Sequence, residues 1–307
     1  MFKIFGISLC LMISLVSIDE GVAQSSDRAG PSFSPWFDPE FPPRTREAQA
    51  AKPFKIFDNV YYVGLQSVSS YLITTNQGLI LIDPTYDYTA DLVLDSIREL
   101  GFDPIEIKYL LITHGHGDHA SGAKVIQEAT GARVVMAEGD WNIYESPSSP
   151  GNNEYSRIAR DIVAKNGSAI TLGDTTIRLF VTPGHTSGCL SMEYTVFDGE
   201  KSYKALTLGG IGLPTGKEKM RKYLNSVARM QELSGVQVLL PDHPFMGDIW
   251  NKAERLELRG PTDPHPFISS REVIIEWFNT LRHAAMAKQL FDDMQAKQKA
   301  IGIKEHN

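Results

Sequence analysis

Hydrophobic positions change their period several times along the chain, and each change predicts an element. Leu79-Ile80-Leu81-Ile82 is continuously apolar, the pattern of a strand buried on both faces. Strand signals begin at Phe54. Asn59–Val63 and Ser70–Thr74 are short, rich in β-branched and aromatic residues, and separated by Gly or Asn-Gln-Gly turns. Tyr88–Leu100 switches to the period of an amphipathic helix and ends at Gly101. Lys108–Thr113 predicts another buried strand, Ser121–Thr130 a helix and Arg133–Met136 a strand. Ala137–Asn153 ends in Ser-Pro-Ser-Ser-Pro-Gly-Asn-Asn and is expected to be a loop. Further strands are predicted over Ile170–Leu172, Thr176–Val181, Leu190–Val196, Tyr203–Leu208 and Val236–Leu240, with a helix over Lys217–Leu233 before the last. Ser270–Lys299 is helical by periodicity, with Val273, Ile274, Trp277, Phe278, Leu281, Ala285, Leu290 and Met294 as candidate apolar positions. Two strand-plus-helix halves predict a layered α/β fold, two sheets face to face with helices outside.

The start of the chain has a different character. Lys3 precedes the mostly apolar run Ile4–Val16, and Gly21-Val22-Ala23 follows. This is the pattern of a secretory signal peptide over residues 1–23, cleaved near Ala23. The apolar run is short for a membrane span, which needs about 20 residues. An uncleaved anchor is the alternative. The reading places the protein in the periplasm or outside the cell, with no membrane span in the mature chain. Residues 24–53 hold six prolines and form an expected extended arm, with Trp36, Phe37 and Phe41 lying on the body. Residues 54–307 would be one catalytic domain including the C-terminal helix.

Composition narrows the function. The chain has 307 residues, is 42% hydrophobic and carries a formal charge of −7 without a basic tract, so nucleic acid is not an expected partner. Two cysteines, Cys10 and Cys189, exclude a disulfide scaffold and a four-cysteine zinc site. Signal cleavage would leave only Cys189, which begins an apolar strand and reads as core.

Chemistry concentrates in Thr113-His114-Gly115-His116-Gly117-Asp118-His119. On an extended backbone His114 and His116 point the same way and can share a cation. Gly115 and Gly117 would permit the turn that brings Asp118 and His119 alongside. Three imidazoles and a carboxylate this close are costly to bury without a metal. His185 in Thr-Pro-Gly-His-Thr and His243 in Leu-Pro-Asp-His-Pro each follow a predicted strand. Six candidate ligands, His114, His116, Asp118, His119, His185 and His243, suffice for two zinc ions with positions left for water. His265, His283 and His306 fit no such pattern and read as surface residues.

His-x-His-x-Asp-His, a later Thr-Pro-Gly-His-Thr turn and a final His resemble the metallo-β-lactamase superfamily, from about Phe54 to His243 and beyond. The resemblance implies a four-layer αββα sandwich. The chain looks most similar to the subclass 3 enzymes of class B, on the opening strands from Pro53 to Gly64 and on Leu239–Pro244 with Trp250. That resemblance implies one ligand set of His114, His116 and His185 and another of Asp118, His119 and His243. Asp83 matches the superfamily's early aspartate and would orient a ligand histidine or the turn. Many relatives carry a metal-bridging Asp after the strand that here reads Ala205–Leu208; this chain has Gly209-Gly210. Subclass 3 enzymes have Ser near there, and Gly210 and Gly212 offer no hydroxyl.

The implied reaction is hydrolysis of a β-lactam, a small-molecule substrate, by zinc-activated water, with Asp118 ligating the second zinc and positioning the nucleophile. Trp36, Phe37 and the loop Glu145–Asn153 are candidate cleft walls. Competing readings are an exported hydrolase of the same fold acting on lactones, thioesters or phosphodiesters, and a mononuclear iron oxygenase.

Overall fold

Alternation within the strands sorts the side chains into layers. The computed structural model describes residues 41–146 and 158–300. Its first sheet runs in chain order: β1 (Phe54–Phe57), β2 (Val60–Tyr62), β3 (Tyr71–Thr75), β4 (Gly78–Ile82), β5 (Ile107–Leu111), β6 (Arg133–Ala137) and β7 (Ile162–Ala164). Pairing is antiparallel up to β4 and parallel from β4 to β7. The second sheet has β8 (Ala169–Leu172), β9 (Thr175–Val181), β10 (Leu190–Asp198), β11 (Lys201–Thr207) and β12 (Val236–Leu239), antiparallel except for the parallel pair β11–β12.

Three apolar cores define four layers. Ile80 and Ile82 of β4 join Tyr71, Leu179, Met192 and Val238 in the core between the sheets. Leu79 and Leu81, one residue out of phase, face the opposite side, packing with α2 (Ala90–Glu99), α4 (Ala123–Thr130) and α5 (Glu138–Glu145) through Val93, Ile126 and Trp141. On the outer face of the second sheet, Leu206 and Val236 meet Tyr223 and Val227 of α6 (Lys217–Gln231) and Ile274 and Phe278 of α8 (Arg271–Ala300). Val273, Leu290 and Met294, also expected on the apolar face of α8, are exposed instead. This is the expected αββα sandwich, and it explains why β4 reads as apolar at every position.

Three expectations are corrected. Ala137–Asn153 does not begin as a loop: α5 spans Glu138–Glu145, and residues 147–157 lie outside the described ones. The helix expected over Ser121–Thr130 is α4, which starts two residues later at Ala123, and a separate short helix, α3 (Gly117–Ala120), precedes it across a break at Gly122. A Cβ at Gly122 would stand 2.5 Å from the Pro84 carbonyl oxygen, so the break lets the chain press against the turn after β4. His265 is buried, stacked on Phe57 at 4.2 Å with Nε2 donating to the Ile56 carbonyl; only His283 of the three supposed surface histidines is described as exposed.

Before β1, the described end of the arm holds the short helix α1 (Arg46–Gln49). Residues 1–40, including the signal segment, Trp36 and Phe37, and residues 301–307, including His306, lie outside the described residues. No helix among the described residues is long and apolar enough to cross a membrane.

Candidate metal centre

Loops that leave the carboxyl ends of β4, β5, β9 and β12 carry the predicted side chains to one edge of the sandwich, where parallel strands direct their C-terminal turns. His116 keeps an extended backbone (φ −78°, ψ 155°), and Gly117 opens α3, which carries Asp118 and His119 round by one helical turn. Neither Gly115 nor Gly117 adopts a positive φ, so the turn does not use the left-handed conformation open to glycine. Gly115 is needed instead for close approach, because a Cβ there would sit 3.0 Å from the Asp140 carbonyl oxygen.

All six candidate ligands converge as two sets. His114, His116 and His185 place their ligand atoms within 4.8 Å of one another, and Asp118, His119 and His243 do the same. His185 Nε2 lies 3.0 Å from His116 Nδ1, and His119 Nε2 lies 3.2 Å from His243 Nε2. Tilted rings with centroids 4.2 Å apart link the sets through His114 and His119.

The far nitrogens fix the tautomers. His185 Nδ1 donates to the Gly212 carbonyl at 2.8 Å, and His243 Nδ1 donates to the Ser67 carbonyl at 2.7 Å. His119 Nδ1 donates to Asp83 Oδ2 at 2.7 Å. In neutral rings the Nε2 atoms of His119 and His243 therefore face each other with lone pairs, which repel unless a cation or an extra proton lies between. The donor set fits a metal of the zinc type, with nitrogen and oxygen ligands and no thiolate. Asp242 adds to this: its Oδ2 accepts from Gly210 N, while Oδ1 is buried without a hydrogen-bond partner.

Charge in the cluster is unbalanced. Among the described residues, the ion pairs of Asp83, Asp118 and Asp242 are to histidines, and none is to a lysine or arginine. Burial and neighbouring imidazoles hold His114 well below its usual pKa, and burial first, then His116, brings His185 down to about 3. Burial also lowers His116, with the charges of His119 and Lys219 adding to it against Asp118. His119 differs: burial pulls its pKa down, but Asp118 and Asp83 outweigh it and raise it well above the usual value. The neutral rings offer lone pairs at pH 7, and the carboxylate side attracts positive charge.

Asp83 directly follows β4 in the left-handed region (φ 60°), a conformation Asp tolerates better than most residues. Its carboxylate accepts from Thr113 N at 2.7 Å, Thr113 Oγ1 at 2.6 Å and His119 Nδ1. It thus orients a candidate ligand, as expected. In the loop after β11, two positions are too crowded for a side chain. A Cβ at Gly209 would meet the Leu190 carbonyl oxygen at 2.4 Å, and one at Gly210 would meet Cys189 Sγ at 2.2 Å.

Comparison with known proteins agrees with this fold. Residues 63–196 match the family model described as the metallo-beta-lactamase superfamily. BJP-1, a subclass B3 metallo-β-lactamase of Bradyrhizobium japonicum, is similar at 32% identity and a TM-score of 0.69, over 82% of this chain and 97% of that one. The chain belongs to the metallo-β-lactamase superfamily.

Within that superfamily, a variant of the FEZ-1 metallo-β-lactamase from Legionella gormanii is similar at 26% identity and a TM-score of 0.72, over 83% of this chain and 99% of that one. A hydroxyacylglutathione hydrolase of Maricaulis maris is 32% identical over 123 residues, 38% of this chain and 42% of that protein. The chain spans between 42% and 62% of the length of the first curated relatives it matches.

Two site residues escaped the sequence reading. Asp140, fully buried on α5, accepts from Gly115 N at 3.0 Å, Gly188 N at 2.9 Å and Thr186 Oγ1 at 2.8 Å, joining the turns of His116 and His185. Asp242 backs His114, with Nδ1 to Oδ2 at 3.5 Å. Its place beside His243 was a signal; Asp140 lay in a stretch read as loop.

Proposed function

We propose that the protein hydrolyses β-lactams with two zinc ions, one held by His114, His116 and His185 and the other by Asp118, His119 and His243. The observation that carries this reading beyond a generic metallo-hydrolase is the packing at Gly209 and Gly210. A bridging carboxylate has no room there, which leaves His119 to complete the second set. Bound zinc would supply a water of lowered pKa, about 7, and a Lewis acid for the carbonyl.

The chain's own groups then divide the work. Burial alone would raise the Asp118 pKa, but His119 outweighs it and keeps the carboxylate ionised. Asp118 can accept a hydrogen bond from the attacking water and aim its lone pair at the carbonyl carbon. Nearby hydroxyls are engaged elsewhere: Ser121 Oγ donates to the Gly117 carbonyl and Ser187 Oγ to that of Gly139. A covalent enzyme intermediate is therefore not required. Lys219, exposed on the first turn of α6 and near enough to act on His116, is a cation for the substrate carboxylate where Gly210 and Gly212 offer no hydroxyl. We place the enzyme in the periplasm or outside the cell after cleavage near Ala23, with an arm over 24–53 and the hydrolase domain over 54–307.

A second reading, thioester hydrolysis, is favoured by the similarity to hydroxyacylglutathione hydrolases. The deciding experiment measures metal content and hydrolysis of a penicillin, a cephalosporin, a carbapenem and an S-acylglutathione, with and without chelator. Two zinc ions and chelator-sensitive turnover of a lactam are expected. Zinc-loaded protein that cleaves only the thioester would replace the first reading by the second.

A further inference from the structure

The two turns that carry His116 and His185 belong to different sheets. His116 follows β5 of the first sheet, and His185 follows β9 of the second, 69 residues later. Strand pairing therefore does not set the 3.0 Å between His116 Nδ1 and His185 Nε2. Metal–ligand distances hold to about 0.2 Å, so a cation shared by these rings needs the two turns kept in fixed register.

Asp140 supplies that hold from a third element. It lies in the first turn of α5 and is fully buried. Its Oδ2 accepts from the N–H of Gly115, which separates His114 from His116, and from the hydroxyl of Thr186, which follows His185. Its Oδ1 accepts from Gly188 N, in the same turn as His185. The backbones close in around it. A Cβ at Gly188 would stand 2.4 Å from Asp140 N, and one at Gly139 would stand 2.7 Å from the Ser187 carbonyl carbon. Both ligand turns thus press on the start of α5, with one carboxylate bonded to each. The second set is held differently. Helix α3 carries Asp118 and His119 together, and His243, ahead of α7 (Ile249–Glu257), is fixed by the Ser67 carbonyl. Among the described residues, no hydrogen bond joins the Asp140 carboxylate to Asp118, His119 or His243.

We propose that Asp140 is the positioning residue of the first set: it fixes the distance between His116 and His185 and thereby sets the cation affinity of that set and not of the other. This rests on the two-metal reading above. Three donors converge on the group, and a carboxylate meets all three. Asn offers one acceptor oxygen, and its amide would turn an N–H toward Gly188 N or toward Gly115 N.

Cadmium NMR of the full chain reads the two sets as separate signals. Asp140→Asn is expected to shift the signal of the three-histidine set and to weaken cadmium binding there about ten- to a hundredfold, measured against a competing chelator, while the signal of the Asp118 set stays in place. Thr186→Val, which removes one of the three bonds, is expected to move the same signal by less. Thr186→Ser, which keeps the hydroxyl, is expected to leave it where wild type has it, and this pair carries the test if Asp140→Asn does not fold. Arg160→Ala separates positioning from stability. Arg160 braces α5 through Glu138, Asn142 and Glu145, so its loss is expected to lower Tm without moving either signal. Unshifted signals in Asp140→Asn and Thr186→Val, equal shifts in both sets, or the same shift in Arg160→Ala would overturn the proposal. The expected shifts in a chain that leaves lactams intact would sink the lactam reading alone; lactam hydrolysis with unshifted signals would sink the positioning role alone.

Discussion

Asp140 ties together the two turns that carry His116 and His185. Its side chain is buried and accepts three hydrogen bonds, yet burial still pushes its pKa from 3.8 up to about 6, against the bonds from Thr186, Gly115 and Gly188. Between those values the folded chain keeps a proton that the unfolded chain has released. The stability tied to this group is therefore full below pH 3.8 and is lost as pH rises through about 6. On chelated protein, urea unfolding should show wild type losing on the order of 3 kcal/mol relative to Asp140→Asn between pH 4 and pH 7. A pH-independent difference between the two would refute this account. Lys219 belongs to the same scale. As an exposed cation its contact with a substrate carboxylate is screened, so Lys219→Ala should raise KM for carboxylate-bearing lactams about three- to tenfold with kcat little changed, and added salt should shrink the difference.

At the scale of elements, the loop Gly209–Gly212 is shaped by what it packs on. Gly210 has φ +69°, donates to Asp242, and faces Cys189 Sγ, which fills the place a side chain would take. Cys189 is itself held by Thr186, whose N lies 3.2 Å and Oγ1 2.9 Å from the sulfur. Gly210→Ser should cost roughly 2–4 kcal/mol through overlap and backbone strain. Adding Cys189→Ala should recover part of it, as a thermal-melt comparison of the single and double variants would show. No recovery would mean that the backbone, not the sulfur, sets the restriction. The loop was legible as a missing carboxylate, but the reason for it was not, because the neighbour that forbids a side chain comes from another strand. Helix α5 shows the same limit. Trp141 and Tyr144 anchor it, but so short an apolar pattern beside a Pro- and Ser-rich run is outweighed by the composition around it.

For the whole molecule, the candidate metal centre is also expected to act as a structural joint. Three carboxylates and five imidazoles meet where both sheets end, with no lysine or arginine paired to those carboxylates among the described residues. A bound divalent cation stabilises only the folded state. Zinc at a thousandfold excess over its Kd contributes about 4 kcal/mol. Chelation should therefore lower Tm by roughly 10 °C in a domain of this size. Equal Tm values with and without chelator would show that the cluster folds without metal. The single cysteine among the described residues is free and buried, so no intramolecular disulfide within them competes with this joint as a staple.

The sequence by itself determined most of the strand order, the helices α2, α4, α6 and α8, the double burial of β4 and the six residues at strand ends, because period and residue type are local properties. His-x-His-x-Asp-His needs only six consecutive residues to show its chemistry. Tertiary structure decided the rest. It paired the candidate ligands into two sets across 69 and 124 residues of chain, aimed the ring nitrogens through carbonyls and Asp83, buried His265, and brought Asp140 and Asp242 beneath the site. Those outcomes depend on which backbone groups lie opposite each side chain once the sheets pack. That information is held in contacts between distant segments and has no period along the chain.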